Sequence, residues 1–120
     1  MSMDGYKREV ALTIYRSSAG KLFEGAPPPL LKSVVVLRVD IDAAGTPRRV
    51  SVLRSNGFRD LEQLAVESVR RAAPLPPPGA ELLSSNGDAE FVETWLFRDD
   101  GRFQIRSLAE TQASAEGMPD

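Results

Sequence analysis

A chain of 120 residues is long enough for one domain built around one hydrophobic core. A hydrophobic content of 42% is normal for a globular protein, and a formal net charge of −2 argues against a nucleic-acid-binding protein, which would usually be basic. The absence of cysteine excludes disulfides and thiolate metal sites, and we expect neither a metal nor a cofactor. No apolar run approaches the roughly 20 residues of a membrane span, so we expect no membrane contact by this chain.

The sequence predicts two helices. Asp4 is a good N-cap for the first, Gly5 to Arg16, in which apolar residues fall on one broad face. The second runs from about residue 59 to 73, with an apolar stripe at three- and four-residue spacing, and prolines stop it. Residues 21–31, which include three consecutive prolines, are predicted to be an extended connector, because proline cannot continue a helix.

Four strands are predicted, as two hairpins. Ser33 to Asp42 alternates apolar and polar residues, and after a short turn Pro47 to Ser55 runs back. Near the C-terminus, Ala89 to Arg98 and Arg102 to Leu108 flank Asp99-Asp100-Gly101, residue types that favour a tight hairpin turn. The order helix, strand, strand, helix, strand, strand predicts an α+β fold. We expect an antiparallel sheet of three to four strands with both helices packed on one face.

This order also predicts the domain organisation. We expect residues 1–108 to form a single domain and residues 109–120, which are small and polar, to form a disordered tail.

The middle of the chain resembles a known family. Residues 34–78 read "VVVLRVDIDAAGTPRRVSVLRSNGFRDLEQLAVESVRRAAPLPPP". A strand ending in "DAAG", the strand "VSVLRSNG", the helix "LEQLAVESVRRA" and the proline exit "PLPPP" are similar to the C-terminal domain of the TonB energy transducers and, more distantly, of TolA. The helix before this region and the firm hairpin after it are not typical of the family.

The resemblance implies a periplasmic, non-enzymatic module that binds proteins. From the residues we expect no signal or anchor within this chain itself. In the family, a segment of an outer-membrane receptor or another envelope protein adds as an extended strand to the edge of the last core strand, in energy-coupled outer-membrane transport. We therefore predict an interaction edge between Phe91 and Leu108. The predicted partner-binding residues are Phe91, Glu93, Trp95, Phe97, Arg102, Gln104 and Arg106.

Alternatives remain open at several of these residues. Trp95 either packs under a helix, which aromatic residues chiefly do, or is exposed for a partner. Arg102 and Arg106 either recognise an acidic segment or keep an edge strand soluble. Three alternatives remain for strand addition. The partner docks on the new outer edge, or it displaces the last strand, or this chain no longer binds a partner strand. The alternative function is a structural or assembly domain of the cell envelope, including a homodimer through the edge strand.

Catalysis has little support in the sequence. Glu90, Glu93, Asp99 and Asp100 are the acids near the final hairpin. The turn explains Asp99 and Asp100, and Glu93 is expected to pair across strands with Arg102, Gln104 or Arg106. With no histidine or cysteine and no nucleophile–base pair in the sequence, we predict a binding protein and not an enzyme.

Overall fold

The protein has the predicted α+β architecture. The structure, a computed structural model, describes residues 2–25 and 30–109. Within them the elements are helix α1 (Met3–Arg16), strands β1 (Ser33–Asp42) and β2 (Pro47–Arg54), helix α2 (Arg59–Ala72), and strands β3 (Asp88–Phe97) and β4 (Phe103–Ile105). A short 3-10 helix, Ala80–Leu82, lies in the loop before β3. The four strands form one antiparallel sheet in the order β2-β1-β3-β4, as expected from the two hairpins.

Both helices pack on one face of this sheet, as predicted. Alternation along β1 and β3 directs every second side chain toward the helices, which present apolar stripes of their own. Burying each large apolar side chain stabilises the fold by about 1.5–3 kcal/mol, so this layer is the main source of stability. The core side chains include Tyr6, Val10 and Ile14 of α1, Leu61, Ala65 and Val69 of α2, Val35, Leu37, Val39 and Ile41 of β1, and Phe91, Trp95 and Phe97 of β3.

Helix α1 begins earlier than the sequence indicated. Its N-cap is Ser2, whose hydroxyl accepts a hydrogen bond from the Gly5 backbone N–H at 3.1 Å. The prediction of Asp4 as the cap was wrong. Asp4 lies inside the first turn instead, where a carboxylate interacts favourably with the positive end of the helix dipole.

Strand β4 is shorter than predicted. The alternation from Arg102 to Leu108 indicated one continuous strand, but the strand covers only Phe103–Ile105, and residues 106–109 are helical. Ile105, Leu108 and Ala109 also have the three- and four-residue spacing of a helical turn, so the short pattern fits both conformations. The predicted tail beyond residue 109 and the proline run at residues 27–29 lie outside the described residues.

The proline-rich exit from α2 is fixed between the first hairpin and α1. The Leu75 backbone N–H donates to the Gly45 carbonyl at 2.8 Å, and the Tyr6 hydroxyl donates to the Pro76 carbonyl at 2.8 Å. Gly45 has φ of +94°, and a Cβ atom there would overlap the Leu75 carbonyl oxygen. Glycine at this turn therefore allows both the backbone conformation and the close approach of the exit segment.

Gly45→Ala should be strongly destabilising, and Gly87→Ala provides a matched control. Gly87 has a similar φ of +84°, but a Cβ there would meet nothing within 4 Å. We expect a loss of about 1 kcal/mol in the free energy of unfolding for Gly87→Ala, from backbone strain alone, and about 3 kcal/mol or more for Gly45→Ala. Urea denaturation measures both values, and equal losses would contradict the close packing of Leu75 against this turn.

The titration of the tyrosines reports on the packing of α1. Burial raises the pKa of Tyr6 from 10.0 to about 12, with a smaller contribution from Glu9, and burial also raises the pKa of Tyr15. Because the folded-state values are raised, burial of these phenols should stabilise the fold fully below pH 10. The contribution of Tyr6 is lost as the pH rises toward 12.

Absorbance of tyrosinate against pH tests this directly, since the chain has only these 2 tyrosines. The folded chain should be less ionised at pH 10 than the chain in denaturant, which should titrate near pH 10. Tyr6→Phe is the control that leaves the titration of Tyr15 to be read alone. Coincident curves for the folded and denatured chains would contradict the burial of both phenols.

Candidate functional site

The backbone N–H and C=O groups of successive residues in β3 point alternately to its two neighbouring sides, and this alternation defines the site. The Lys32 N–H donates to the Phe97 carbonyl at 2.9 Å, so the backbone groups of odd-numbered residues of β3 point toward β1. The Arg98 N–H donates to the Arg102 carbonyl at 2.9 Å, so the backbone groups of even-numbered residues point to the opposite side, toward β4. This second side is the outer side of β3.

Strand β4 covers only one end of that outer side. The register pairs Trp95 with Ile105 and Phe97 with Phe103, and it goes no further along β3. After Ile105 the chain becomes helical, so β3 from Asp88 to Thr94 has no strand beside it on the outer side among the described residues.

Two of the remaining outer positions are satisfied locally. At Asp88, the N–H donates to the Asn86 side chain at 3.0 Å and the carbonyl accepts from the Ser84 N–H at 2.8 Å. At Thr94, the N–H donates to the carboxylate of its own neighbour Glu93 at 2.8 Å. Both outward groups at Asp88 and the outward N–H at Thr94 are therefore satisfied by hydrogen bonds within the chain.

The middle of the stretch is open. The outward N–H and C=O groups of Glu90 and Val92 form no hydrogen bond with any residue in the described ranges. We call the outer backbone side of β3 from Glu90 to Val92 the open edge. Unpaired strand groups of this kind are a template for pairing with another chain.

The open edge carries one exposed apolar side chain, Val92, and one charged side chain, Glu90. Val92 is 41% exposed, which is high for a valine in a central part of a sheet. The Glu90 carboxylate accepts from the Arg38 guanidinium at 2.8 Å, and Arg38 also lies 3.4 Å from Asp40. Because these charges are partly exposed, the ion pair adds little stability, but it balances the charge beside the open edge.

The outer side of β4, in contrast, is covered. Residues 21–25, which we call the strap, run beside it. The Phe103 N–H donates to the Lys21 carbonyl at 3.0 Å, and the Phe23 N–H donates to the Phe103 carbonyl at 3.2 Å. The strap is also held by the Gln104 side-chain amide, which donates to the carbonyls of Phe23 and Gly25 at 2.9 and 2.7 Å.

The residues predicted to bind a partner do not share one exposed surface. Phe91, Glu93, Trp95, Phe97 and Gln104 are buried, whereas Arg102 and Arg106 are exposed. The interpretation of Trp95 as a residue packed under a helix is confirmed, because its indole N–H donates to the Ser68 hydroxyl of α2 at 3.0 Å and its side chain is inaccessible to solvent.

The acids of the final hairpin have structural surroundings. The hydrogen bond from Arg98, followed by that from the Arg102 N–H, lowers the pKa of Asp100 to about 2, so this carboxylate stays charged and holds the turn. Glu93 accepts from the Thr94 N–H and from the Ser107 hydroxyl. Of the partners expected for Glu93, Arg102 lies 3.9 Å from Asp100 and Gln104 binds the strap.

Two further features bear on the class of site. Within residues 2–25 and 30–109, no group of three or more acidic side chains lies close enough together to hold a metal ion. Over the same ranges, no helix has the length and the apolar character needed to cross a membrane.

Sequence reasoning missed two features of this side of the sheet: the point at which β4 ends, and the strap that covers β4. Glu90 and Val92 lie on the predicted strand, but whether a neighbouring strand covers them depends on where β4 ends, which alternation alone did not fix. The strap was predicted only as an extended connector. A signal was present: Leu22 and Phe23 are apolar residues between Gly20 and Gly25, which both have positive φ and bound a short segment.

Comparison with known proteins identifies the family. The model of the family described as "Gram-negative bacterial TonB protein C-terminal" matches residues 31–93, just over half of the 120-residue chain. The match begins just before β1 and ends within β3, so it includes the open edge and leaves out α1, the strap and β4. Searches of curated proteins and of solved structures found no match. With the sheet order, the helix–proline exit and the family match in agreement, the chain belongs to the TonB C-terminal domain family, a family of protein-interaction domains.

Proposed function

We propose that this domain binds a partner protein by adding an extended segment of the partner to the open edge. The observation that supports this proposal is that the outward backbone groups of Glu90 and Val92 have no hydrogen-bond partner among residues 2–25 and 30–109, whereas the outward groups of Asp88 and the N–H of Thr94 are satisfied. An added strand would supply the missing ladder hydrogen bonds, and side-chain contacts beside Val92 would add selectivity. Such a partner would not need to displace β4, because β4 stops before this stretch.

The family supports the class of partner and the compartment. The TonB C-terminal family works in the periplasm of Gram-negative bacteria, and we propose the same compartment here. The partner would be an outer-membrane receptor or another envelope protein with an extended segment, and energy-coupled outer-membrane transport is the process that such a partner implies.

The seven residues predicted from the sequence have different roles in this proposal. Buried Phe91, Trp95 and Phe97 hold β3 in place so that its edge is rigid before the partner arrives. Gln104 holds the strap over β4, and Glu93 closes the open edge at Thr94. The exposed Arg102 and Arg106 lie on the segment that begins at the final turn, where they would contact an acidic flank of the partner.

The other edge of the sheet is less suited to strand addition. Strand β2 begins with Pro47, which has no N–H to donate, and its pairing with β1 shifts register between Val36 and Leu37 and again between Asp40 and Ile41. Irregular pairing of this kind bends a strand and discourages a further regular partner. The open edge on β3 is therefore the favoured site.

A second candidate function is assembly through the same edge. The open edge of one chain could pair with that of a second copy, which would give a symmetric homodimer in a structural role. Light scattering over a concentration series separates the two candidates. A stable dimer that binds no receptor-derived peptide would support assembly, and a monomer that binds the peptide would support partner capture.

Amide exchange during a peptide titration tests the proposed site residue by residue. An isotope-labelled chain is titrated with a peptide from the TonB box of a receptor. We expect slowed exchange at the outward-facing amides of Glu90 and Val92 and little change at Phe91, which already pairs with β1. If the peptide slows exchange elsewhere but not at these two amides, the proposed site is wrong.

Val92→Pro and Val92→Thr form a matched pair for the same titration. Proline removes the outward N–H, and a strand tolerates proline where its N–H points to solvent. Threonine keeps both the N–H and the β-branched shape. We expect Val92→Pro to weaken peptide binding about tenfold or more and Val92→Thr to change it by less than about threefold. Equal affinities for the two variants would contradict backbone pairing at Val92.

A further inference from the structure

The point at which β4 leaves β3 has an unusual hydrogen bond. By the alternation along these strands, the pair after Leu96 and Gln104 would be Thr94 and Arg106. Arg106 is already in the helical segment, so the ladder stops there. The Thr94 N–H donates instead to the Glu93 carboxylate at 2.8 Å, so a side-chain oxygen stands where a backbone carbonyl of a neighbouring strand would lie.

The carboxylate of Glu93 is held firmly in this position. Its other oxygen accepts a hydrogen bond from the Ser107 hydroxyl, on the helical segment that follows β4. Glu93 is only 5% exposed, and a carboxylate at that depth depends on such hydrogen bonds because burial costs it the solvation of its charge. We call the contacts that Glu93 makes with Thr94 and Ser107 the clasp.

We propose that the clasp sets the end of the partner-binding edge and so limits the length of strand that the edge accepts. This inference rests on the proposed function. A partner's carbonyl oxygen cannot take the Thr94 N–H while Glu93 occupies it, and the negative charge of the carboxylate repels that oxygen. The ladder with a partner therefore has its two rungs at Glu90 and Val92 and ends there.

The clasp also defines the kind of segment that fits. Pairing at Glu90 and Val92 needs an extended stretch of about five residues, including one flanking residue at each end. The partner residue directly opposite Val92 is apolar, because it packs beside an exposed valine. The partner carbonyl that passes Thr94 cannot accept the Thr94 N–H, so no complete rung forms at that position, whereas the two rungs need partner residues with an N–H and therefore exclude proline.

The clasp belongs to this chain more than to the matched family region. Glu93 is the last residue that the family model matches, and Ser107 lies beyond it. The helical segment that carries Ser107 follows the shortened β4, so the clasp and the early end of β4 occur together. Glu93 is a positioning residue, since it acts on a partner through the Thr94 N–H.

Amide exchange in the free chain tests the clasp without any partner. Glu93→Ala removes the acceptor of the Thr94 N–H, whereas Glu93→Gln keeps a side-chain oxygen that can accept it. We expect exchange at Thr94 to accelerate about tenfold or more in Glu93→Ala, with no comparable change at Trp95, and to remain within about threefold of the original in Glu93→Gln. Unchanged exchange at Thr94 in Glu93→Ala would overturn the clasp.

Two lengths of one receptor-derived peptide, five and nine residues, then test the limit on length. The original chain should bind both with affinities within about twofold of each other, and neither should protect Thr94. In Glu93→Ala, the longer peptide should protect Thr94 and gain about three- to tenfold in affinity, while the shorter peptide should not gain. If Glu93→Ala does not fold, Ser107→Ala loosens the same carboxylate and should shift both readouts in the same direction.

The outcomes separate this inference from the function on which it rests. Protection of Glu90 and Val92 together with protection of Thr94 in the original chain would overturn the limit on length and leave strand addition supported. The same result follows if Glu93→Ala gains nothing with the longer peptide. No protection of Glu90 or Val92 by either peptide in any variant would overturn strand addition and the limit on length together.

Discussion

The backbone N–H and C=O groups of β3 determine both how this domain folds and where it can bind a partner. Each N–H and C=O in a strand needs a partner, and β3 meets that need on its two sides by different means. Toward β1 the pairing is regular and unbroken, from Ser33 opposite Phe97 to Asp42 opposite Asp88. On the outer side, a loop, a carboxylate and a short strand each satisfy one part, and the stretch between them has no partner in the described chain.

The core makes that outer side usable. Phe91, Trp95 and Phe97 anchor β3 against the helices, and the Trp95–Ser68 hydrogen bond ties the strand to α2. A strand held in this way loses little conformational entropy when another segment pairs with it, so more of the hydrogen-bond energy remains for binding. The strap and the hydroxyl of Tyr15, which accepts the Ile105 N–H at 3.0 Å, satisfy backbone groups on the outer edge of β4, so that edge does not compete with β3 for a partner strand.

The sequence predicted the fold well because its signals are local and mutually consistent. The ten residues of β1 alternate cleanly, α2 has a regular apolar stripe, and Asp99-Asp100-Gly101 forms the predicted turn. The first cap and the last strand were wrong for a shared reason. Ser2 and Asp4 are both good capping residues, and Ile105 to Ala109 fits a strand or a helical turn, so local pattern alone could not choose between the alternatives.

The site was less predictable because it depends on contacts between distant parts of the chain. The point at which β4 ends decides whether Val92 is open or covered. The outer edge of β4 is in turn covered by the strap, which lies far away in the sequence: Gln104 and Phe23, which are joined by a hydrogen bond, are 81 residues apart. The role of Glu93 depends on Ser107, which follows β4, a strand shorter than its alternating sequence predicts. The alternation of side chains along the strand did place the aromatic residues of β3 on one face, but it could not show what lies beside the strand.

Amide hydrogen exchange along β3 in the free, unliganded chain shows directly whether the open edge exists. The open edge predicts an alternating pattern: fast exchange at Glu90 and Val92, whose N–H groups point outward, and slow exchange at Phe91 and Glu93, which pair with β1. Uniformly slow exchange from Asp88 to Phe97 would mean that the outer side of β3 is already covered and that the domain has no free edge to offer a partner.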